Sequence, residues 1–184
     1  KIALLEFDAW AGDELLKVSD RNPNRQGIML ALSALGLEVE SVSSLCSRID
    51  GGEVKALLAM GHEGEESRDL VRAVERVEVF VHLGYAESIF SEHADVVLPI
   101  QSWLQTNGTW MNQFNRLQRL RPALNSENGT RSGLNWFTQL ASGLDTNFAW
   151  ADLQELRKEI EEKAATLKGI SLEDIDQQGQ ELSS

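Results

Sequence analysis

Asn107, Gly108 and Thr109, followed by Arg116, Arg119 and Arg121, are the residues of this chain best suited to hold an anion. A guanidinium is a planar fork that meets a phosphate or carboxylate through two parallel hydrogen bonds. An Asn-Gly pair suits a tight turn and lets the backbone come close to whatever lies opposite. The surroundings sharpen this reading. The chain carries 29 Asp and Glu and a formal net charge of −12, yet none of those acids falls between Gln101 and Ser126. A carboxylate-free window bearing arginines in so acidic a protein points to an approaching anion or acidic surface. The plainer alternative is a solvated loop whose arginines pair with carboxylates from elsewhere in the chain.

Other chemistries find less support. His62, His82 and His93 have no H-x-x-x-H spacing and no cysteine partner, so the pattern does not predict a zinc site. Cys46 is the single cysteine, which excludes an internal disulfide and a four-thiolate iron–sulfur cluster held by this chain alone. With Val42, Leu45 and Ile49 around it, Cys46 reads as a small core hydrophobe. There is no G-x-S-x-G and no Walker loop, and Gly61-His62-Glu63-Gly64 lacks the third glycine of a dinucleotide fingerprint. Glu87 and Asp95 could form an acid–base pair, but Asp95 is better placed to order a strand edge. No catalytic residue is expected. Of the five tryptophans, Trp103 and Trp110 flank the central window and are expected at the surface, against a partner domain.

A chain of 184 residues, 42% of them hydrophobic, can bury a substantial core. No run approaches the roughly 18–20 apolar residues that span a bilayer, and no signal-peptide pattern opens the chain. Lys1, followed at once by a strand-like run, reads as the start of a segment cut from a longer polypeptide. A pI near 4.7 argues against general nucleic-acid binding.

Short apolar runs must position the anion-binding window. Strands are expected over 2–7, 54–60, 77–82 and 94–98, alternating with helices over 26–35, 42–49 and 67–74. A short helical turn is possible over 14–18. This alternation predicts parallel βαβ units and an α/β fold with a doubly wound, mostly parallel sheet. Residues 1–124 would form this domain. Residues 125–184 would form a helical extension packed on it, with helices over 135–144 and 152–167, an aromatic hinge at 148–150, a last short helix capped by Ser171, and a polar tail from 178. In a doubly wound sheet ligands bind beyond the carboxyl ends of the strands. That edge would collect residues 61–65, 84–88 and 99–112.

The order of these elements resembles the molybdopterin oxidoreductase family, which includes formate dehydrogenase catalytic subunits and the large iron–sulfur subunit of NADH–quinone oxidoreductase. The resemblance is carried by Ala94-Asp95-Val96-Val97-Leu98-Pro99, by Gly108-Thr109, by Asn112 and by Arg116 through Gln118. Asn24 and Gly27 match a further Asn-and-Gly segment of the family. In that family the carboxyl edge of the matching domain faces a pterin dinucleotide. The resemblance therefore implies Gly61, Gly84, Gly108, Thr109, Asn112 and Arg116 as cofactor-binding positions, with no metal ligand in this chain. After the strand-ending glycine the family commonly carries Asn-Pro. Here the chain has His62-Glu63-Gly64-Glu65-Glu66, whose carboxylates would repel a pyrophosphate.

Two readings follow from the resemblance. In the first, the chain is a structural, cofactor-free domain of an electron-transfer oxidoreductase like the large iron–sulfur subunit of NADH–quinone oxidoreductase, with the iron–sulfur clusters elsewhere in the full-length protein. In the second, it faces a molybdopterin guanine dinucleotide in a formate dehydrogenase-like enzyme. The acidified edge suits the first. Residues 165–179 are similar to a segment leading into the final barrel domain of the catalytic subunits, which suits the second. A free-standing binding module is the third possibility. The resemblance implies the remaining domains of the same polypeptide and other oxidoreductase subunits as partners. It implies a cytoplasmic location, peripheral to the inner membrane, with no nucleic acid and no membrane insertion.

Overall fold

The computed structural model describes residues 1–4, 11–13, 20, 22–61, 67–126, 129–146 and 149–182. Residues 5–7 of the first expected strand, the turn at 14–18, the acidic run 62–66 and Phe148 lie outside the described residues. In chain order the elements are β1 (Ile2–Ala3), α1 (Arg25–Ala34), β2 (Val39–Glu40), α2 (Val42–Asp50), β3 (Ala56–Met60), α3 (Arg68–Val74), β4 (Val79–Gly84), α4 (Ile89–His93) and β5 (Val96–Pro99). They continue with β6 (Gly108–Met111), β7 (Arg116–Leu120), α5 (Gly133–Gly143), α6 (Leu153–Lys163) and β8 (Gln180–Glu181). Helices and parallel strands together make the fold α/β, as the alternating pattern predicts.

The chain divides into two compact units. One holds residues 1–5, 39–102 and 124–146; the other holds 6–38, 103–123 and 147–184. The segment 125–184, expected as a single helical extension, is thus shared between them.

The first unit contains the parallel sheet β3-β4-β5, with Leu57 opposite Phe80 and Leu58 opposite Val81, which in turn faces Val96. Its strand order follows the sequence. Among the described residues the expected four-stranded sheet is not formed, because β1 pairs with β2 instead of joining β3. Successive strand residues point to opposite faces. Leu57, Ala59 and Phe80 face α2, α3 and α4, where Leu70, Val74 and Phe90 complete a core. Phe80 and Phe90 meet edge to face at 5.9 Å. The helices start where hydroxyl caps allow: Ser41, Ser67 and Ser88 each accept a backbone N–H from the first turn. Helix α5 is capped in the same way by Ser132. Leu144, expected as the last residue of this helix, lies past its end and is exposed.

The second unit is built around an antiparallel sheet, β6-β7-β8, where the sequence pattern predicts a loop and a polar tail. Its inner face packs Met111 and Leu117 against Ile160 and Ala164 of the α6 segment and against Leu167, Leu172, Ile175 and Leu182. Helix α6 ends at Lys163, earlier than expected, and a short 3-10 turn over Ala165–Leu167 follows. Among the described residues no helix forms after Ser171. Leu172 and Ile175 are drawn into the core instead, and the Leu172 N–H donates to Glu161 at 2.6 Å. Among the described residues no helix is long and apolar enough to cross a membrane.

Candidate functional site

The carboxyl ends of β3, β4 and β5 bring Gly61, Gly84 and Pro99 to one edge of the parallel sheet. Gly61 has φ 107°, a conformation open to glycine and strained for other residues. Its N–H donates to the Leu83 carbonyl at 3.0 Å. Its own carbonyl lies 2.8 Å from Nε2 of the fully buried His82, so that nitrogen carries the proton as donor. Gly84 is buried, and its carbonyl accepts the Ile100 N–H at 3.0 Å. Arg131 extends this edge through a parallel bridge with Ile100. Its guanidinium sits 5.3 Å over the Trp136 ring, and Trp136 Nε1 donates to the Pro99 carbonyl at 2.8 Å. No motif or spacing in the sequence marks the Arg131–Trp136 stack.

Asp95 orders the strand edge as expected. Its carboxylate accepts the Phe80 N–H at 2.8 Å, and its own N–H donates to the Phe80 carbonyl at 2.9 Å. Cys46 is half-buried against the core of the first unit. Burial pushes its thiol pKa up, and Asp50 and Asp69 push in the same direction, so the thiolate is disfavoured.

The other four expected positions, Gly108, Thr109, Asn112 and Arg116, come together on the hairpin β6–β7 of the second unit. The window is a hairpin rather than a loop. Gly108 opens β6 opposite Leu120 instead of forming a tight turn. The turn lies four residues later. Asn112 accepts the N–H groups of Phe114 and Arg116 at 2.9 and 3.0 Å through Oδ1. Its N–H donates to the Arg116 carbonyl at 3.0 Å, and Asn115 takes the left-handed conformation that completes the reversal. Arg116 itself is engaged: Nη1 donates to the Gln178 carbonyl and Nη2 meets the Glu181 carboxylate, both at 3.1 Å. A phosphate group at Arg116 would compete with Glu181. Trp103 and Trp110 are exposed, as expected.

Two further side chains organise the second unit. Asn24, in the left-handed conformation before α1, accepts the Met111 N–H at 2.9 Å. A Cβ on Gly27 would fall 2.3 Å from the Asn24 Oδ1, so close packing of α1 on β6 requires glycine there. The second is Arg157, a charged side chain on the apolar stripe of α6 that leaves only 6% of its surface exposed. Among the described residues no three His, Cys, Asp or Glu side chains gather in a way that would hold a metal ion.

Comparison with known proteins agrees with this architecture. The chain is 31% identical over 121 residues to a subunit of NADH-quinone oxidoreductase from Streptomyces coelicolor, a match that covers 62% of this chain and 14% of the relative. The chain thus spans a small part of that relative's length. Residues 16–142, most of the first unit together with the β6–β7 hairpin, match the molybdopterin oxidoreductase family, and the chain belongs to it.

Proposed function

We propose that this chain is a structural, cofactor-free domain of an electron-transfer oxidoreductase of the NADH–quinone oxidoreductase kind, with its iron–sulfur clusters elsewhere in the full-length protein. The observation that carries this reading is the engagement of Arg116. In the hairpin its guanidinium joins β7 to Gln178 and Glu181, and Asn112 closes the turn beside it. Two of the six residues that the family resemblance assigns to a pterin dinucleotide thus hold the hairpin together, an arrangement that does not fit an anionic cofactor at the same atoms. The similarity to the Streptomyces coelicolor protein points the same way. The partners would be the remaining domains of the same polypeptide and other subunits of the complex. An apolar sheet face supports that expectation: Leu58, Met60, Val79 and Val96 share the side of β3-β4-β5 away from α2–α4 and are all exposed. Parallel sheets are normally covered on both faces. The place of work would be cytoplasmic, peripheral to the inner membrane.

A second reading keeps Gly61, Gly84, Gly108, Thr109, Asn112 and Arg116 as contacts to a molybdopterin guanine dinucleotide. The positive φ of Gly61 at the end of β3 favours it, because that conformation brings backbone close to a ligand. Thermal melting in the presence of GDP separates the readings. The first expects no shift. A saturable rise in melting temperature that disappears in Arg116→Ala would establish the second.

A further inference from the structure

On the inner face of the second unit's sheet, Thr109 and Arg119 are cross-strand partners, in the same hairpin as the Met111–Leu117 pair. Such partners hold their side chains within reach of each other. Arg157 stands one turn before Ile160 on α6, both are buried, and Ile160 packs in one cluster with Met111 and Leu117, the neighbours of Thr109 and Arg119 on that face. Nε and Nη2 of Arg157, Nε of Arg119 and Oγ1 of Thr109 are buried, and none has a hydrogen-bond partner. No carboxylate oxygen reaches these atoms within hydrogen-bond distance. Glu161 accepts the Leu172 N–H, and Glu173 accepts Gln154 Nε2 at 2.9 Å. Arg119 Nη1 donates to the Glu173 carbonyl, a contact at the protein surface, so the cluster has an open side.

Buried polar groups are nearly always satisfied, and a buried guanidinium with unpartnered N–H groups is among the costliest exceptions. The Arg119 guanidinium adds a second positive charge to the same region. Burial first, and Arg119 second, push the Arg157 pKa down, against the smaller opposing influence of Glu173 and Glu161. Arginine nevertheless keeps its proton in proteins, so the strain is relieved by a counter-charge and not by deprotonation. The geometry points to a binding site for a phosphate-type dianion, held by Arg157 and Arg119 with the Thr109 hydroxyl as a further donor. Two guanidinium charges match two negative charges, and tetrahedral oxygens supply enough acceptors for the unpartnered N–H groups. The site is distinct from Arg116, whose guanidinium is engaged with Gln178 and Glu181.

The test is thermal melting of the full chain against inorganic phosphate at constant ionic strength, with chloride and acetate as matched controls. Phosphate should raise the melting temperature along a saturable curve that chloride and acetate do not reproduce. Arg119→Gln, on the open side, should weaken the phosphate midpoint about tenfold through loss of charge-assisted hydrogen bonds. Arg157→Met should abolish the response; if that variant does not fold, Arg119→Gln carries the test alone. Arg116→Ala should leave the phosphate midpoint in place, which separates this site from the pyrophosphate reading above. No saturable effect on the unaltered chain, an equal effect of acetate, or an unchanged midpoint in Arg119→Gln would each overturn the proposal.

Discussion

The first unit is held together chiefly by apolar contacts across a parallel sheet, and the second depends heavily on polar side chains that bind backbone. In the first, Phe80 is 1% exposed and packs with Leu70, Val74 and Phe90 between sheet and helices. In the second, Asn24 fixes β6, Asn112 closes the hairpin, Arg116 ties β7 to β8 and Glu161 anchors Leu172. An apolar core also exists there, around Met111 and Leu117. Polar groups are nonetheless required, because the segment after α6 is largely irregular and its backbone has no ladder to satisfy it. In the second unit Asn24, Asn112 and Arg116 are structural ties.

The largest effect that tests this contrast is expected from Phe80→Ala. Removing a fully buried aromatic side chain should cost about 3–5 kcal/mol. Hydrogen exchange followed residue by residue should show the loss of protection concentrated in β3, β4 and β5. A loss spread equally over β6 and β7 would show that the two units open as one.

A smaller effect is expected from Asn112→Ala. Its Oδ1 accepts two backbone N–H groups, and leaving both without that partner should cost about 1–3 kcal/mol. The exchange pattern should invert, with β6 and β7 affected and β3 to β5 little changed. An Asn112→Ala variant as stable as the unaltered protein would mean that water replaces the side chain without penalty, and the contrast between the units would fail.

The same contrast explains how much could be read in advance. Residues 56–60 and 79–84 are short apolar runs, and a run of that kind reads as a buried strand wherever it occurs. The helices that cover them show a periodic apolar face and hydroxyl caps. Gly61 could be placed at a strand end because a glycine there has a local reason. β7, by contrast, reads Arg-Leu-Gln-Arg-Leu. Its polar residues hide the strand, and one of its pairing partners, β8, lies far away in sequence. β8 has only two residues, with Arg116 opposite Glu181 and Leu117 opposite Gln180. The family resemblance flagged Asn112 and Arg116, but their structural work becomes visible only once that register is known. For Arg157 the sequence does carry a signal. It stands at helical spacing with Leu153, Leu156 and Ile160, so a charge there had to enter the core.

The smallest effect concerns Glu159, at the exposed side of α6. Its side chain accepts from Lys163 and from Trp150 Nε1. These contacts, Lys163 first and Trp150 second, hold its pKa below the ordinary glutamate range. A carboxyl whose folded pKa is depressed is ionised in both folded and unfolded chains at neutral pH, and there its contribution to stability is complete. As the pH falls below the ordinary glutamate range, the unfolded chain takes up the proton first. The contribution then shrinks, and it is gone once the pH has passed below the folded pKa. Glu159→Gln should therefore melt slightly below the unaltered protein at neutral pH, and the difference should close as the pH falls below the ordinary glutamate range. Because Glu159 is only half-buried and Lys163 is exposed, added salt should also narrow it. A difference that stays constant from neutral to acid pH would mean that the glutamine loses packing, not charge, and would remove Glu159 from the polar ties of the second unit.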